Sequence, residues 1–400
     1  MNDREKKIDE LLSRGVAEVI GEERLKERLL AGERLRVKLG IDPTSPNIHL
    51  GRSVVLLKLR DFQELGCEIV LIVGNFTGLI GDTSDKDAER PMLDAATVEF
   101  NMRAYFDQAS KILDMDRVER HFNAEWLRDL RYLEVGEQAN EFSLHEFISR
   151  ENIKKRLDAG KRVSLREVLY PLMQGYDSVE VRADVEIGGT DQRFNILAGR
   201  KLQELYEQEP QDILLMNLVP GIDGRKMSSS WGNTIDLSDE PNEMYGKVMS
   251  IPDELIGSYL VHLTRISIDE VEGMSEGMKQ GTQHPRDLKM RLAREIVRMY
   301  HDEQVAESAE EYFVTAFSKR ETPEDIPEIM ISDDTENILD YIVRSGNAES
   351  RSDAQRKVEQ GGVTLNDEKV TDRDFMIERG THDDAVLKIG KAGFVRIRFS

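Results

Sequence analysis

Two short segments far apart in the chain carry residue types suited to a polyphosphate, Pro46-Asn47-Ile48-His49-Leu50-Gly51-Arg52 and Arg225-Lys226-Met227-Ser228-Ser229-Ser230. In and just before the first, Thr44 and His49 offer a hydroxyl and a neutral imidazole that can donate to an anion as its charge grows. Gly51 lets a nucleotide approach the backbone without a side-chain clash, and Arg52 adds a cation. The second segment sets one lysine, Lys226, among serines in a loop, an arm that can close over phosphates. Taken singly, Thr44 also fits a helix N-cap region with Ser45 capping and Pro46 in the first turn. Gly51 alone fits a tolerated helix glycine at a cost of roughly 1 kcal/mol. Lys86 and Arg90, four apart in a polar segment, either share one face of a helical turn and reach the same phosphates or form a solvated charge run.

A third cluster suits a small polar ligand. In Tyr170-Pro171-Leu172-Met173-Gln174-Gly175-Tyr176-Asp177 the spacing i, i+4, i+7 puts Tyr170, Gln174 and Asp177 on one side of a helix otherwise made of core residues. Three polar tips on that face need partners, either a ligand or a buried network of the protein itself. Nearby in the pattern, Gly188-Gly189-Thr190-Asp191-Gln192 closes a strand; its glycines permit close backbone approach, and Asp191 can accept from a ribose hydroxyl.

These residues need a scaffold that gathers strand ends. The apolar run 37–41, the helix-period run 50–62 and the run 68–74 read as strand, helix, strand, half of a doubly wound parallel sheet. In such an α/β, Rossmann-like sheet ligands bind at the carboxyl ends of the strands, where Thr44 and the segment Thr77 to Asp82 fall. Residues 9–30 read as one amphipathic N-terminal helix, and 92–169 as a helical insertion between the halves of the sheet. The second half resumes at 184–187, 192–206 and 213–219. A helical stretch then runs to 317, and an acidic, proline-bearing linker covers 319–335. The expected domains are a catalytic domain with its insertion over 1–230, a helical domain over 231–330 and a small α+β module over 336–400.

Composition narrows the setting. Four hundred residues with 39% hydrophobic content support two or three packed domains. The single cysteine, Cys67, lies in an apolar stretch, so it excludes a disulfide framework and reads as a buried reduced thiol; no metal site is expected. The charged N-terminus has no signal-peptide core and no apolar run approaches the ~18 residues of a membrane span, so a soluble, cytoplasmic protein without a membrane partner is expected. A net charge of −22 opposes wholesale nonspecific binding to nucleic acid, and no DNA partner is expected. In the tail, Lys388, Lys391, Arg396 and Arg398 fit either a local phosphate-binding patch or a solvated charged strand.

The two phosphate segments resemble the HIGH and KMSKS signatures of class I aminoacyl-tRNA synthetases. Together with Gly40-Ile41-Asp42-Pro43-Thr44, the segment Thr77 to Asp82, the Tyr170 to Asp177 helix and Gly188 to Gln192, in this order, nearly the whole chain is similar to the bacterial tyrosyl-tRNA synthetase family. The resemblance implies activation of tyrosine by ATP, with Mg²⁺ on the pyrophosphate, transfer to tRNA(Tyr), and a homodimer. It implies that Tyr170, Gln174 and Asp177 contact tyrosine, Asp177 at the phenol, with Thr77, Asp82 and Gln192 lining the same site. It assigns Thr44, His49, Lys86, Arg90 and Lys226 to the polyphosphate, and Asp42, Gly51, Gly189 and Asp191 to the adenosine part. It makes 336–400 an RNA-binding module like that of a small-subunit ribosomal protein, and the helical domain the reader of the anticodon.

The chain departs from the family pattern at three places. Arg52 stands for the second histidine of HIGH, Ser229 for the second lysine of KMSKS, and Lys38, which the resemblance counts in the tyrosine site, where much of the family has a tyrosine that helps bind the substrate hydroxyl. Tryptophan as substrate is disfavoured, because an indole N–H does not call for Asp177 together with Tyr170. A small-molecule nucleotidyltransferase would explain His49 but not the C-terminal module, and a non-catalytic RNA-binding paralogue would not need His49, Lys226, Asp177 and Asp191 together.

Overall fold

Alternating and continuous apolar runs build a six-stranded sheet from β1 (Val16–Ile20), β2 (Arg36–Ile41), β3 (Glu68–Val73), β4 (Val118–Phe122), β5 (Val185–Gly189) and β6 (Asp212–Met216) in the order β1-β6-β5-β2-β3-β4. All neighbours are parallel except β1, which runs antiparallel to β6. β3 and β6 are buried almost end to end, as strands covered on both faces must be. Successive strands run outward in opposite directions from the β2/β5 pair, so a crevice forms at the carboxyl ends of those two strands. This computed structural model describes residues 2–82, 92–318, 326–366, 368–390 and 393–399. They divide into two compact units, Met1–Glu240 with Lys247–Tyr300, and Pro241–Gly246 with His301–Ser400.

Three elements differ from the sequence expectation. The single helix expected over 9–30 is two helices, Asp3–Ser13 and Glu22–Ala31, separated by β1. Gly15 and Gly21, at φ 68° and 84°, take the left-handed backbone that ends one helix and begins the next, and Val16, Val19 and Ile20 between them suit a sheet edge. β4 lies within the stretch read as helical; five residues with exposed Glu119 and Arg120 look like a helix surface until β3 pairs with them. The helical insertion itself comprises Tyr132–Asn140, Leu144–Ile148 and Glu151–Asp158. The third difference is the cap of the helix Leu50–Glu64, which is His49; Ser45 instead donates to the Asn47 carbonyl.

The helix carrying Tyr170 and Asp177 spans Leu165–Glu180 and starts at a capping box of Ser164 with Glu167. It crosses the helix Arg193–Leu205 at close range because glycines meet there. A Cβ at Gly175 would lie 3.0 Å from the Gly199 nitrogen, and one at Gly199 3.0 Å from Ser178 Oγ. That approach brings Gln174 and Ser178 down onto the sheet.

The helices Ile256–Leu263 and Pro285–Tyr300 belong to the first unit, where Tyr300 donates to Ser53 Oγ at 2.9 Å. In the second unit β7 (Glu328–Ile331), β8 (Thr335–Asn337), β9 (Val363–Leu365), β10 (Glu368–Lys369), β11 (Met376–Glu378), β12 (Val386–Ile389) and β13 (Gly393–Phe399) make a five-stranded sheet, β10-β9-β12-β13-β7, and a β11-β8 pair. The helices Ile338–Arg344 and Arg351–Glu359 bury Ile338, Ile342, Ala354 and Val358 with Leu387 and Ile397. β7 falls inside the stretch read as a linker, because only its parallel pairing with β13, far off in sequence, makes it a strand. Arg396 and Arg398 both reach Asp384, at 2.8 and 2.9 Å. Lys391 lies outside the described residues. Among the described residues no helix is long and apolar enough to cross a membrane.

Candidate active site

A cavity of about 830 Å³ opens at the carboxyl ends of β2 and β5. On one side it is lined by Thr44, His49, Gly51 and Arg52, which follow β2. Residues 48–50 are held in place by pairing with the chain at 235–237, through Leu50 N–H to the Ile235 carbonyl at 2.8 Å and Leu237 N–H to the Ile48 carbonyl at 2.9 Å. The His49 Nδ1 accepts the Arg52 amide at 3.3 Å, which assigns the ring proton to Nε2. Burial, and after it the charges of Arg52 and Lys226, push the imidazole pKa down to about 3. At neutral pH His49 is therefore an uncharged Nε2–H donor.

Arg52 donates to the Tyr105 hydroxyl and to Thr44 Oγ1, each at 2.8 Å. A guanidinium has no acceptor, so the Thr44 oxygen accepts and its own O–H is left to donate elsewhere. The Gly51 N–H meets Met227 Sδ at 3.1 Å, so the two signature segments, 176 residues apart in sequence, are in contact. Lys226 reaches the cavity from its loop and pairs with Asp191 at 2.9 Å. The loop is tied by Asn233, 2% exposed, which accepts from the Ser228 amide and donates to Asp223 and the Lys226 carbonyl. Gly189 gives Asp191 its room, since a Cβ there would stand 2.6 Å from the carboxylate.

The opposite wall comes from the helix Leu165–Glu180. Asp177, 3% exposed, accepts from Trp126 Nε1 at 2.8 Å and from Asn123 Nδ2 at 3.2 Å. Burial raises its pKa to about 7, with the Lys38 charge and those two hydrogen bonds holding it from rising further. Tyr170 donates to Asp42 Oδ2 at 2.8 Å, and Thr77 to Asp42 Oδ1 at 2.6 Å. Asp42 thus ties together two residues assigned to the tyrosine site, whereas the resemblance placed it with the adenosine. Gly74 makes this possible, because a Cβ there would sit 2.1 Å from Asp42 Oδ1. Gln192 donates to Asp82 at 2.7 Å, and both line the cavity.

Lys38 is the correction. It is fully buried and does not line the cavity; its amine sits behind the wall, 3.0 Å from Glu186 and 2.9 Å from the Gln174 carbonyl. The physical reason is register: Lys38 lies directly across from Glu186 on the parallel strands β2 and β5, and a buried ammonium takes the nearest carboxylate. Lys86 and Arg90 lie outside the described residues. Sequence reasoning missed Asn123, Trp126, Glu186 and Asn233. Trp126, one of two tryptophans in a charge-rich stretch, was the only one with a visible signal.

The family model for class I tRNA synthetases of the tryptophan and tyrosine type matches residues 30–318, and that for the tyrosine–tRNA ligase SYY-like C-terminal domain matches 319–395. The chain is 47% identical to a tyrosine–tRNA ligase of Thermotoga maritima, covering 97% of this chain and 96% of that protein. It is 45% identical to that of Moorella thermoacetica, covering 97% and 94%. Among solved structures, tyrosyl-tRNA synthetase of Archaeoglobus fulgidus, complexed with L-tyrosine, superposes with a TM-score of 0.62 at 24% identity over 76% of this chain and 99% of that one. The truncated mitochondrial enzyme of Aspergillus nidulans does so with a TM-score of 0.65 at 22% identity over 78% and 94%. With its signature segments meeting at the switch point of the sheet, and with these matches along nearly its whole length, the chain belongs to the class I tRNA synthetases, in the branch of the tyrosine–tRNA ligases.

Proposed function

We propose that this chain activates tyrosine with ATP, giving tyrosyl-adenylate and pyrophosphate, and then transfers the tyrosyl group to the 3′ end of tRNA(Tyr). The observation that carries the substrate is Asp177, a buried carboxylate in the cavity wall whose two oxygens each already hold one donor and keep room for a phenol. In activation the tyrosine carboxylate attacks the α-phosphorus in line and pyrophosphate leaves, so the protein's task is positioning and charge stabilisation. His49 Nε2–H and the Thr44 O–H donate to the leaving pyrophosphate, and Arg52 contributes its charge while keeping the Thr44 hydroxyl oriented. Lys226 and Asp191 exchange partners: the ribose hydroxyl takes Asp191, and the lysine passes to the phosphates. Gly51 and Gly189 admit the adenosine part, and Lys86 and Arg90 belong to the polyphosphate. Tyr170, Gln174, Thr77, Asp82 and Gln192 surround the amino acid, with Asp42 orienting Tyr170 and Thr77. ATP brings Mg²⁺ on its polyphosphate as part of the substrate.

The functional division we propose is a catalytic domain over 1–230, an anticodon-reading helical segment over 231–330 and an RNA-binding module over 336–400. A homodimer is supported by the insertion, which leaves Tyr132, Leu133 and Leu144 exposed, 64% or more each. The one cysteine, buried and free, supports a reducing cytoplasm. The test is amino-acid-dependent exchange of pyrophosphate into ATP across the standard amino acids. Tyrosine alone should respond; a response to tryptophan, or none, overturns the reading.

A further inference from the structure

Beneath the cavity, β2 and β5 place Lys38 and Glu186 as direct neighbours, 0% and 1% exposed, with Nζ 3.0 Å from Oε1. Each group is fully engaged. The lysine's other two protons go to the Gln174 carbonyl at 2.9 Å and to Ser178 Oγ at 2.7 Å. The carboxylate accepts also from Gln174 Nε2 at 3.2 Å, Ser178 Oγ at 3.0 Å and Gln211 Nε2 at 2.5 Å. Gln174 and Glu186 line the cavity; Lys38 does not.

We propose that the buried Lys38–Glu186 pair is a positioning device that turns the Gln174 side-chain amide so that its carbonyl oxygen faces the cavity, ready to accept from the ammonium of the amino-acid substrate. This rests on the reading of the cavity as a tyrosine site. A carboxylate only accepts, so it selects the NH₂ end of the amide and leaves the oxygen end for the ligand. A neutral residue at 186 would offer a donor as well, and the amide could turn its NH₂ toward an ammonium, which donates only. Glu186 and Lys38 stand directly across from each other in this buried place, where either one alone would be an uncompensated buried charge. Lys38 thus acts on the amino end of the substrate through two intermediaries, Glu186 and Gln174.

The experiment compares dissociation constants for L-tyrosine and for 3-(4-hydroxyphenyl)propanoate, the same molecule without its ammonium, by calorimetry. In the Lys38→Met/Glu186→Gln double variant, which removes both charges together, tyrosine should bind about 10- to 100-fold more weakly, the worth of one hydrogen bond to a charged group. The analogue should be unchanged within about twofold, the scatter expected where no contact to it is lost. Lys38→Gln/Glu186→Gln, which keeps polar side chains at both positions and leaves neither charge alone, is the second variant, with the same expected split. A parallel loss for both ligands, or no loss for tyrosine, overturns the proposal. Wild-type protein that binds neither ligand would instead overturn the tyrosine site itself.

Discussion

Asp177 concentrates the recognition of the phenol. Its replacement by alanine removes the acceptor of Trp126, leaves Asn123 donating to Thr77 alone, and removes the partner that phenylalanine cannot use. The kcat/KM ratio of tyrosine over phenylalanine should then fall by about 10- to 100-fold, and equal losses for both amino acids would make Asp177 structural. Its raised pKa adds a pH signature. A carboxyl that is harder to ionise when folded contributes stability at low pH that is lost as pH rises from its unfolded value, near 4, through about 7. Tyrosine binds the ionised form, so its affinity should weaken as pH falls below about 7, and Asp177→Asn should flatten that slope in a fluorescence or calorimetric titration. At the other end of the cavity, Lys226→Ala should lower kcat for pyrophosphate exchange with little change in the KM for tyrosine, because the lysine acts on the leaving group. A defect confined to tyrosine KM would remove Lys226 from that role. The chemistry-bearing residues were legible because rare polar types sat at helical spacing or in glycine- and serine-rich turns. Lys38 misled, since the resemblance gives the family's residue at a position but not the Glu186 that stands across from it on the next strand.

The helix Leu165–Glu180 sets the amino-acid wall, and its distance from the helix Arg193–Leu205 is set by Gly175 and Gly199. Gly199→Ala puts a methyl 2.8 Å from Gln211 Nε2 and 3.0 Å from Ser178 Oγ, so those two side chains must give way. Thermal unfolding should show a loss of about 1–3 kcal/mol, and tyrosine KM should rise, because Ser178 and Gln211 both hold Glu186. An unchanged KM alongside the stability loss would separate the crossing from the site. Elements whose own residues pattern strongly, such as β2, β3, β5 and the helices after them, could be read from sequence. β1, β4 and β7 could not, because each is a short strand whose identity depends on the partner that pairs with it.

At the scale of the whole molecule, the cavity is lined entirely from the first unit, and the second has its own apolar core. Truncation after Ser318 removes β7 together with its partner β13 and should leave tyrosine-dependent pyrophosphate exchange within a few-fold of the full chain, on the order of the scatter expected where no substrate contact is lost. Charging of tRNA should fall much further, and parallel loss of both activities would refute separate duties. The amino-acid sequence by itself determined the α/β class, the order of the signature segments and the chemical types in the site, since periodicity and turn chemistry are local properties. Only the tertiary structure decided that Gly51 meets Met227, that Asp42 joins Tyr170 to Thr77, that Trp126 and Asn123 hold Asp177, and that Lys38 answers to Glu186. Those facts depend on strand register and helix crossing, through which residues 35 to 176 positions apart come within a hydrogen bond of one another, and no local pattern encodes that distance.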